Sequence, residues 1–266
     1  MSAGEARRVA YLDLDGTLLG PGGSLFTAAD GSFTLDGARA LGLLRRAGVA
    51  AVLVSGRTRE RLAETARLFG LDGYIAELGA LDAGHPTAPG QTVHQAIAGS
   101  GVPEALLERE RGLLEPHLPW SLDREGSHVL RGRARPEAAA FVAEASGGAL
   151  RLADNGMVRP DGAHVYHVLP AGAGKGAAVA RDIAARGADP AACLAVGNSR
   201  EDLEIAAAVG RLALVANAAA ADPALAREAA WVTAGSYGAG VLEAVAAWLD
   251  GRAPAGPSRQ GRATAR

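Results

Sequence analysis

Apolar strand-like runs alternate with amphipathic helices at both ends of the chain, and this alternation limits the fold more than any other feature. Before residue 80, strands and helices are predicted at Val9–Leu14, Leu35–Ala47, Val49–Val54, Thr58–Phe69 and Gly73–Glu77. After residue 170 the alternation resumes at Lys175–Arg186, Ala192–Val196, Glu201–Val209, Leu212–Val215, Pro223–Glu228, Ala230–Val232 and Gly240–Leu249. Repeated strand–helix units predict an α/β fold with a parallel sheet and helices on both of its faces.

The alternation is interrupted between residues 81 and 170. This stretch starts with Pro- and Gly-rich segments and continues with helices and strands predicted at Pro103–Leu114, His128–Arg133, Pro136–Ala145, Ala149–Leu152 and Ala163–Leu169. We therefore expect an inserted α+β domain at 81–170 that divides one core into two parts, 1–80 and 171–250. Residues 251–266 carry no apolar anchors and predict a disordered tail.

The composition excludes several classes of partner. The chain has 27 basic and 29 acidic residues and a net charge of -2, so we expect neither a nucleic-acid groove nor a polybasic membrane anchor. No apolar run approaches the ~20 residues that span a bilayer, and Met1–Arg8 lacks the apolar segment of a secretory signal. Cys193 is the single cysteine, which excludes an internal disulfide and indicates the cytoplasm. Monomer and homodimer both remain open.

Lysine and asparagine are scarce in this chain. Lys175 is the single lysine among the 27 basic residues, and the asparagines are Asn155, Asn198 and Asn217. This usage is typical of GC-rich codons, in which arginine replaces lysine wherever a positive charge suffices. A lysine retained in such a background indicates a position where arginine does not substitute. The alternative is the chance survival of one surface lysine.

Two aspartates follow the first predicted strand at a spacing that suits a shared pocket. Asp13 and Asp15 precede Gly16, and ligands of parallel sheets bind beyond the carboxyl ends of the strands. Asp13 fits a carboxylate nucleophile, and Asp15 fits a general acid and base. Because two such carboxylates repel each other, the pair favours a bound divalent cation or a raised pKa. An isolated Asp-x-Asp equally fits an Asp-Gly turn with an exposed neighbour.

Four short motifs, taken in order, resemble those of the haloacid dehalogenase-like (HAD) phosphatase superfamily. They are Asp13–Leu19, Ser55-Gly56-Arg57, Lys175 within Gly174-Lys175-Gly176, and Gly197–Asp202. The Ser-Gly-Arg form and the insertion between the second and third motifs are similar to the Cof-like, sucrose-phosphatase-like branch, subfamily IIB. The resemblance covers about residues 8–249. It implies a Rossmann-like parallel-sheet core with an inserted α+β cap domain of the C2 type.

The resemblance also implies a Mg²⁺-dependent phosphatase for a small phosphorylated metabolite, a sugar or polyol phosphate. Asp13 would form an aspartyl-phosphate, and Asp15 would transfer protons. Ser55, the N–H of Gly56 and Lys175 would bind the phosphoryl oxygens. Arginine has a broader head than lysine, so it is a poor replacement in a crowded pocket. A dehalogenase is disfavoured because displacing a halide does not need the proton-transfer group that Asp15 supplies.

The fourth motif departs from the Gly-Asp-Ser-x-Asn-Asp pattern of this branch. Asn198 stands where the resemblance implies an aspartate that would ligate Mg²⁺ together with Asp13 and the main-chain carbonyl of Asp15. Glu201 replaces the usual asparagine, and Asp202 remains as an acidic candidate at the metal site. There Asp202 and Glu201 would hold water ligands of the metal or hydrogen-bond Lys175. An amide oxygen ligates Mg²⁺ more weakly than a carboxylate does. Two hypotheses follow: an active phosphatase with weak metal binding, or a catalytically impaired relative that binds phosphorylated ligands.

We expect the inserted domain to close over the pocket and to select the substrate. The candidate substrate contacts are Arg57, Arg151 and Asn155. Arg57 equally fits a salt bridge to an acidic neighbour, and the Asp-Asn-Gly sequence around Asn155 predicts a turn. Three residues apart on one predicted strand, His164 and His167 should face opposite sides, which disfavours a two-histidine metal site.

Overall fold

Two β-sheets organise the chain in the computed structural model, which describes residues 7–157 and 162–254. The strands are β1 (Val9–Asp13), β2 (Ala50–Val54), β3 (Gly73–Ile75), β4 (Leu114–Pro116), β5 (His128–Gly132), β6 (Leu150–Met157), β7 (His164–Pro170), β8 (Leu194–Gly197) and β9 (Arg211–Leu214). The helices are α1 (Asp36–Arg46), α2 (Arg59–Phe69), α3 (Val93–Gly99), α4 (Val102–Arg109), α5 (Ala138–Ala145), α6 (Lys175–Arg186), α7 (Arg200–Leu203), α8 (Ala216–Ala221), α9 (Pro223–Glu228) and α10 (Tyr237–Leu249).

The first sheet is parallel and has the strand order β3-β2-β1-β8-β9. Side chains of the central strand β1 alternate between two apolar clusters because successive residues of a strand point to opposite faces. Ala10 and Leu12 pack with residues of α1 and α10. Val9 and Tyr11 pack on the other face with residues of α6. Helices therefore cover both faces, which confirms the predicted α/β class.

The carboxyl ends of the parallel strands meet at one edge of the first sheet. Asp13 is the last residue of β1, Ser55 follows β2, and Asn198 follows β8. Because β2 and β8 are the two neighbours of β1, these three positions are adjacent in space. Lys175, the first residue of α6, reaches the same edge and hydrogen-bonds Asp13 and Asp202. This edge therefore carries residues of all four motifs.

The second sheet is antiparallel, with the order β4-β5-β7-β6, and is formed by inserted residues. It packs on α3, α4 and α5 through an apolar cluster that includes Ile97, Leu106, Leu130, Val142 and Val168. A smaller cluster joins Ala153 and Leu169 to Leu78 and Ala80, which follow β3. An antiparallel sheet with its own helices confirms the predicted α+β insertion, whereas its bounds at 81–170 stay a prediction.

Two predicted helices end earlier in the structure, and one predicted strand is reduced to a single bridge. Helix α4 ends at Arg109 rather than at Leu114, because Gly112 has a positive φ of 76° and turns the chain into β4. The helix predicted from Glu201 ends at Leu203 and tightens into a 3₁₀ turn. The strand predicted at Ala230–Val232 is wrong: within 162–254, Val232 makes a single bridge to Leu214.

Strand β6 is longer than predicted, and it includes the Asp-Asn-Gly sequence that predicted a turn. The pairing of β6 with β7 shifts register between Asp154 and Met157, so Asn155 and Gly156 lie in a bulge. The Asp154 carboxylate accepts a hydrogen bond from the N–H of Gly156 at 2.9 Å. The local hydrogen bond of a turn is thus present, but the strand continues past it. Bulges of this kind re-aim side chains near functional sites.

Within residues 7–157 and 162–254, no helix is both long enough and apolar enough to cross a membrane. Most of the predicted disordered tail, residues 255–266, lies outside the described residues.

Candidate active site

Lys175 lies between two buried carboxylates at the edge of the first sheet. Its Nζ donates to Asp13 Oδ1 at 2.7 Å and to Asp202 Oδ1 at 2.8 Å. The three side chains, which we call the floor, are at most 7% exposed. Two negative charges thus share one positive charge away from water. The single lysine of the chain is thus 1% exposed and makes both contacts through one ammonium.

Burial sets the protonation chemistry of the floor. It is the largest influence on Asp13 and raises the pKa of that carboxyl, with Lys175 opposing and Asp202 adding to the effect. Burial alone would lower the pKa of Lys175, but the two carboxylates outweigh it and raise that pKa. Lys175 is therefore a permanent cation beside Asp13.

The loop after Asp13 is held by asparagines. Gly16 has a positive φ of 79°, and a Cβ there would lie 2.2 Å from Asn198 Nδ2, so only glycine fits. Asn217 Nδ2 donates to the Gly16 carbonyl at 2.8 Å. Thr17 Oγ1 donates to Asp13 Oδ2 at 2.7 Å, which orients the carboxylate. Two of the three asparagines in the chain thus contact one glycine of the first motif.

Asp15 and Asp13 have different partners. Asp15 is exposed, and the guanidinium of Arg57 binds both of its oxygens, at 2.6 and 2.8 Å. This pairing raises the pKa of Arg57. Of the two interpretations of Arg57, a substrate contact or a salt bridge, the structure has the salt bridge. The partner of Arg57 in that bridge is Asp15, the predicted general acid and base.

The Ser55-Gly56 loop lies beneath side chains of the inserted sheet. Ser55 is buried, and its Oγ accepts from the N–H of Arg57 at 3.2 Å. A Cβ on Gly56 would lie 2.6 Å from Asn155 Nδ2 and 3.0 Å from His167 Nε2. Both side chains therefore lie directly above this loop. Glycine is required at position 56 because any side chain would displace them.

Asp202, a predicted metal ligand, already has partners on both oxygens. Oδ1 accepts from Lys175, and Oδ2 accepts from the N–H groups of Asn198 and Ser199 and from the Ser199 hydroxyl, at 2.7 to 3.0 Å. Its role in this geometry is to hold Lys175 and the loop after β8. In the described ranges, no three His, Cys, Asp or Glu side chains are placed to hold a metal.

The remaining oxygen donors still suit a hard cation. They are the Asp13 carboxylate, the Asp15 main-chain carbonyl and the amide of Asn198, whose side chain lies against Gly16 next to Asp15. Mg²⁺ prefers oxygen ligands of this kind. The set carries one negative charge, so the residues fit a divalent cation that is bound weakly.

Arg151 does not extend a free guanidinium toward substrate. It donates to Glu201 Oε1 at 2.6 Å, to Glu204 Oε1 at 2.9 Å and to the carbonyl of Ala173 at 3.2 Å. Burial raises the pKa of Glu201 to about 7, although Arg151 opposes it. Arg151 therefore ties β6 of the inserted sheet to α7 of the core.

Three residues that sequence reasoning missed, Glu77, Arg124 and Ser127, hold the inserted sheet above Gly56 together with His167. Glu77 follows β3, is fully buried, and accepts from the Ser127 hydroxyl at 2.9 Å. Arg124 Nη1 donates to the Gly56 carbonyl at 2.9 Å, and His167 completes the group. We call Glu77, Arg124, Ser127, His167 and Asn155 the roof. Asparagine scarcity could have drawn attention to Asn217, but no comparable signal marks Glu77.

Comparison with known proteins identifies the family. No protein-family model matches the chain. Phosphoglycolate phosphatase from Aeropyrum pernix is 31% identical over 257 residues, which cover 93% of this chain and 96% of that relative. The chain belongs to the haloacid dehalogenase-like phosphatase superfamily. As a phosphatase of this superfamily, it is a hydrolase of phosphate monoesters.

Solved structures of the superfamily share the fold. The sucrose-phosphatase from Synechocystis sp. PCC6803, in complex with sucrose and phosphate, has a TM-score of 0.63 and 18% identity, covering 92% of this chain and 99% of its own. A HAD subclass IIB sugar phosphatase has a TM-score of 0.61 and 15% identity, with coverage of 92% and 99%. These similarities confirm the fold predicted for subfamily IIB, a parallel core with an inserted cap.

Proposed function

We propose that this protein is a Mg²⁺-dependent phosphatase that hydrolyses a small sugar or polyol phosphate through an aspartyl-phosphate on Asp13. The observation that carries the proposal is the floor. One oxygen of Asp13 accepts from Lys175 and the other from Thr17, so the carboxylate is fixed at the end of β1. The relatives named for sucrose and sugar phosphates support the substrate class.

The residues account for both halves of the reaction. An oxygen of Asp13 attacks phosphorus, the ester P–O bond breaks, and protonated Asp15 gives its proton to the leaving oxygen. Water then attacks phosphorus and returns a proton to Asp15, and the Asp13–phosphorus bond breaks to release inorganic phosphate. Ser55, the N–H of Gly56 and Lys175 supply donors and charge to the phosphoryl oxygens.

Proton transfer by Asp15 requires its salt bridge with Arg57 to open. Arg57 binds both oxygens of Asp15, so neither oxygen is free to contact a leaving group or water. A phosphoryl group offers the same planar fork an equivalent bidentate partner. Substrate binding would therefore draw Arg57 from Asp15 and free the acid and base at the time it is needed.

Mg²⁺ would be held by Asp13, the main-chain carbonyl of Asp15 and Asn198. When bound, it supplies positive charge that neutralises phosphoryl oxygens. Lys175 contributes a second, permanent positive charge. Asp202 acts through Lys175 rather than on the metal, since its Oδ2 already accepts three hydrogen bonds and its Oδ1 accepts from Lys175, whereas each oxygen of Asp13 accepts only one.

Asn198 also favours a second candidate function. Replacement of the expected metal-binding aspartate by an amide supports a relative that binds phosphorylated ligands without turnover. Glu201 does not replace the missing carboxylate, because Arg151 binds its Oε1. The two candidates differ in one observable, the release of inorganic phosphate.

A phosphatase screen over sugar and polyol phosphates, with Mg²⁺ up to roughly tens of millimolar, tests the proposal. We expect phosphate release that falls at least about 10³-fold in Asp13→Asn. Acid-quenched protein digested for mass spectrometry should carry the phosphoryl group on Asp13. No hydrolysis at any metal concentration, with recovery only in Asn198→Asp, would favour the second candidate.

The cellular setting is part of the same proposal. A cytoplasmic enzyme, monomer or homodimer, is consistent with a single cysteine, Cys193, which is buried and has no disulfide partner in the chain. Its partner would be the small phosphorylated substrate. Sedimentation of the purified protein at several concentrations distinguishes monomer from homodimer.

A further inference from the structure

Two polar groups of the roof lie directly against the phosphate-binding loop. Asn155 lies in the bulge of β6. His167 lies on the neighbouring strand β7, where it pairs with Ala153 of β6. The Nδ2 atom of Asn155 and the Nε2 atom of His167 both lie against Gly56. Neither side chain takes part in the proposed chemistry, although both lie beside it. Their hydrogen-bonding character therefore decides what a substrate can place there.

Glu77 fixes the direction of the hydrogen bonds that lead to His167. The Glu77 carboxylate accepts from the N–H groups of Glu125, Gly126 and Ser127 at 2.9 to 3.2 Å, and from the Ser127 hydroxyl at 2.9 Å. A hydroxyl has a single hydrogen. The hydrogen of Ser127 Oγ is therefore used by Glu77, and toward every other neighbour this oxygen only accepts.

His167 must then donate to Ser127. The distance from His167 Nδ1 to Ser127 Oγ is 3.2 Å, and Oγ also accepts from Arg124 Nη1 at 3.2 Å. Nδ1 therefore carries the hydrogen, which leaves Nε2 of a neutral ring with an unshared lone pair. Within the described ranges the ring makes this one hydrogen bond.

The surroundings keep the ring neutral. His167 is 1% exposed, and burial is the largest of the influences that lower its pKa well below the usual value. The positive charges of Arg124 and Lys175 act in the same direction, as does His117. The ring therefore presents an acceptor at Nε2 rather than a second donor.

We propose that Asn155 and His167 form a hydroxyl-recognition site, which selects phosphate monoesters with a free hydroxyl near the phosphate and rejects those with a carboxylate there. A hydroxyl donates to Nε2 and accepts from the Asn155 amide. A carboxylate has no hydrogen to donate, and its charge meets the lone pair of Nε2. The inference rests on the proposed phosphatase function and names the feature that its substrate must have.

Three esters with the same two-carbon chain test the site: 2-hydroxyethyl phosphate, ethyl phosphate and phosphoglycolate. For the unaltered protein we expect kcat/KM for the hydroxyethyl ester to exceed the other two by about tenfold or more. His167→Phe should bring the hydroxyethyl-to-ethyl ratio to about one. His164→Phe is the matched control on the same strand, since its ring pairs with Asp154 instead, and it should keep the ratio.

Ser127→Ala provides a second readout that does not depend on how well His167→Phe folds. Imidazole ¹⁵N NMR should show the Nδ1–H tautomer for His167 in the unaltered protein and a shift toward Nε2–H in Ser127→Ala. The hydroxyethyl preference should fall in parallel. A purely structural role for Ser127 would not move the tautomer.

Several outcomes would overturn the inference. They are an Nε2–H tautomer in the unaltered protein, equal rates for the hydroxyethyl and ethyl esters, or a preference for phosphoglycolate. Failure to hydrolyse all three esters would instead count against the proposed function. In that case, calorimetry would measure the affinity of the protein for each of the three esters. We expect the hydroxyethyl ester to bind most tightly.

Discussion

The floor and the roof stabilise buried charge in different ways. In the floor, two carboxylates share the ammonium of Lys175. In the roof, the buried Glu77 carboxylate is surrounded by main-chain N–H groups and a hydroxyl, with Arg124 at 3.6 Å. In the floor, the carboxylates are stabilised by the opposite charge of the ammonium. In the roof, the carboxylate is stabilised mainly by hydrogen bonds from backbone N–H groups. The stability of the carboxylates in the floor therefore depends on the side chain of Lys175. The stability of the Glu77 carboxylate depends on where the backbone places its N–H groups.

The largest expected effect is the removal of the ammonium in Lys175→Met. Two buried carboxylates would lose their shared partner, and breaking a buried ion pair costs about 3–5 kcal/mol of unfolding free energy. Urea unfolding measures the loss, and phosphate release should be abolished. Adding Asp202→Asn should restore part of the stability because one uncompensated charge is removed. A change within about 1 kcal/mol for Lys175→Met would contradict the charge balance described for the floor.

Glu77→Gln makes the corresponding change in the roof, and we expect a smaller cost of about 2–3 kcal/mol. The amide NH₂ of the glutamine would face the N–H groups of residues 125–127, from which the carboxylate accepts hydrogen bonds. Glu125→Gln is the control, because that side chain forms an exposed pair with Arg59, which contributes at most about 1 kcal/mol. Equal losses in the two variants would remove the distinction between floor and roof.

Asn198→Asp should strengthen metal binding without altering the roof. The added carboxylate next to Gly16 supplies a negative charge that hard divalent cations prefer. We expect the Mg²⁺ concentration for half-maximal phosphate release to fall about tenfold, and to rise in Asn198→Ala. An unchanged Mg²⁺ requirement in both variants would exclude Asn198 from the metal site.

The smallest expected effect is a pH dependence that originates in the roof. The folded pKa of His167 lies well below its ordinary value of 6.5. Between those two values the unfolded chain binds a proton that the native ring does not, so the contribution of His167 to the free energy of unfolding falls as the pH drops below about 6.5. The raised pKa values of Asp13 and Glu201 contribute with the opposite sign. The slope from one group is at most about 1.4 kcal/mol per pH unit.

Urea unfolding at a series of pH values measures this slope. His167→Gln should reduce it, and His164→Gln, three residues earlier on β7, should preserve it. A slope that is the same in all three proteins would assign the acid sensitivity to other groups.

The fold and the floor were largely accessible from sequence, and the roof was not. Asp13 and Lys175 occur in short motifs whose chemistry restricts the residue type, so their proximity followed from the order of strands. Glu77 follows β3, Ser127 precedes β5 and His167 lies on β7, so residues that are 50 and 40 positions apart meet only through the packing of the inserted sheet and its register. Local patterns do not determine such a register.

Local turn chemistry also misled the prediction at one position. The Asp-Asn-Gly sequence around Asn155 makes the hydrogen bond of a turn, at 2.9 Å between Gly156 N and Asp154 Oδ1. Pairing with β7 nevertheless keeps the segment in β6 and converts the turn into a bulge. Tertiary pairing thus overrides the local preference, and it aims Asn155 at Gly56.

The burial of Lys175 has a consequence for observing this enzyme at work. Because the chain has one lysine, a sample grown with ¹⁵N-labelled lysine contains a single labelled ammonium, and it lies 2.7 Å from the Asp13 carboxylate. One resonance, without assignment, would report the arrival of phosphate, metal or an acyl-phosphate at the floor. The same ammonium is 1% exposed, so amine-reactive tags would leave it intact in the folded state and label it on unfolding. A single atom thereby serves as a spectroscopic and chemical probe of the active site.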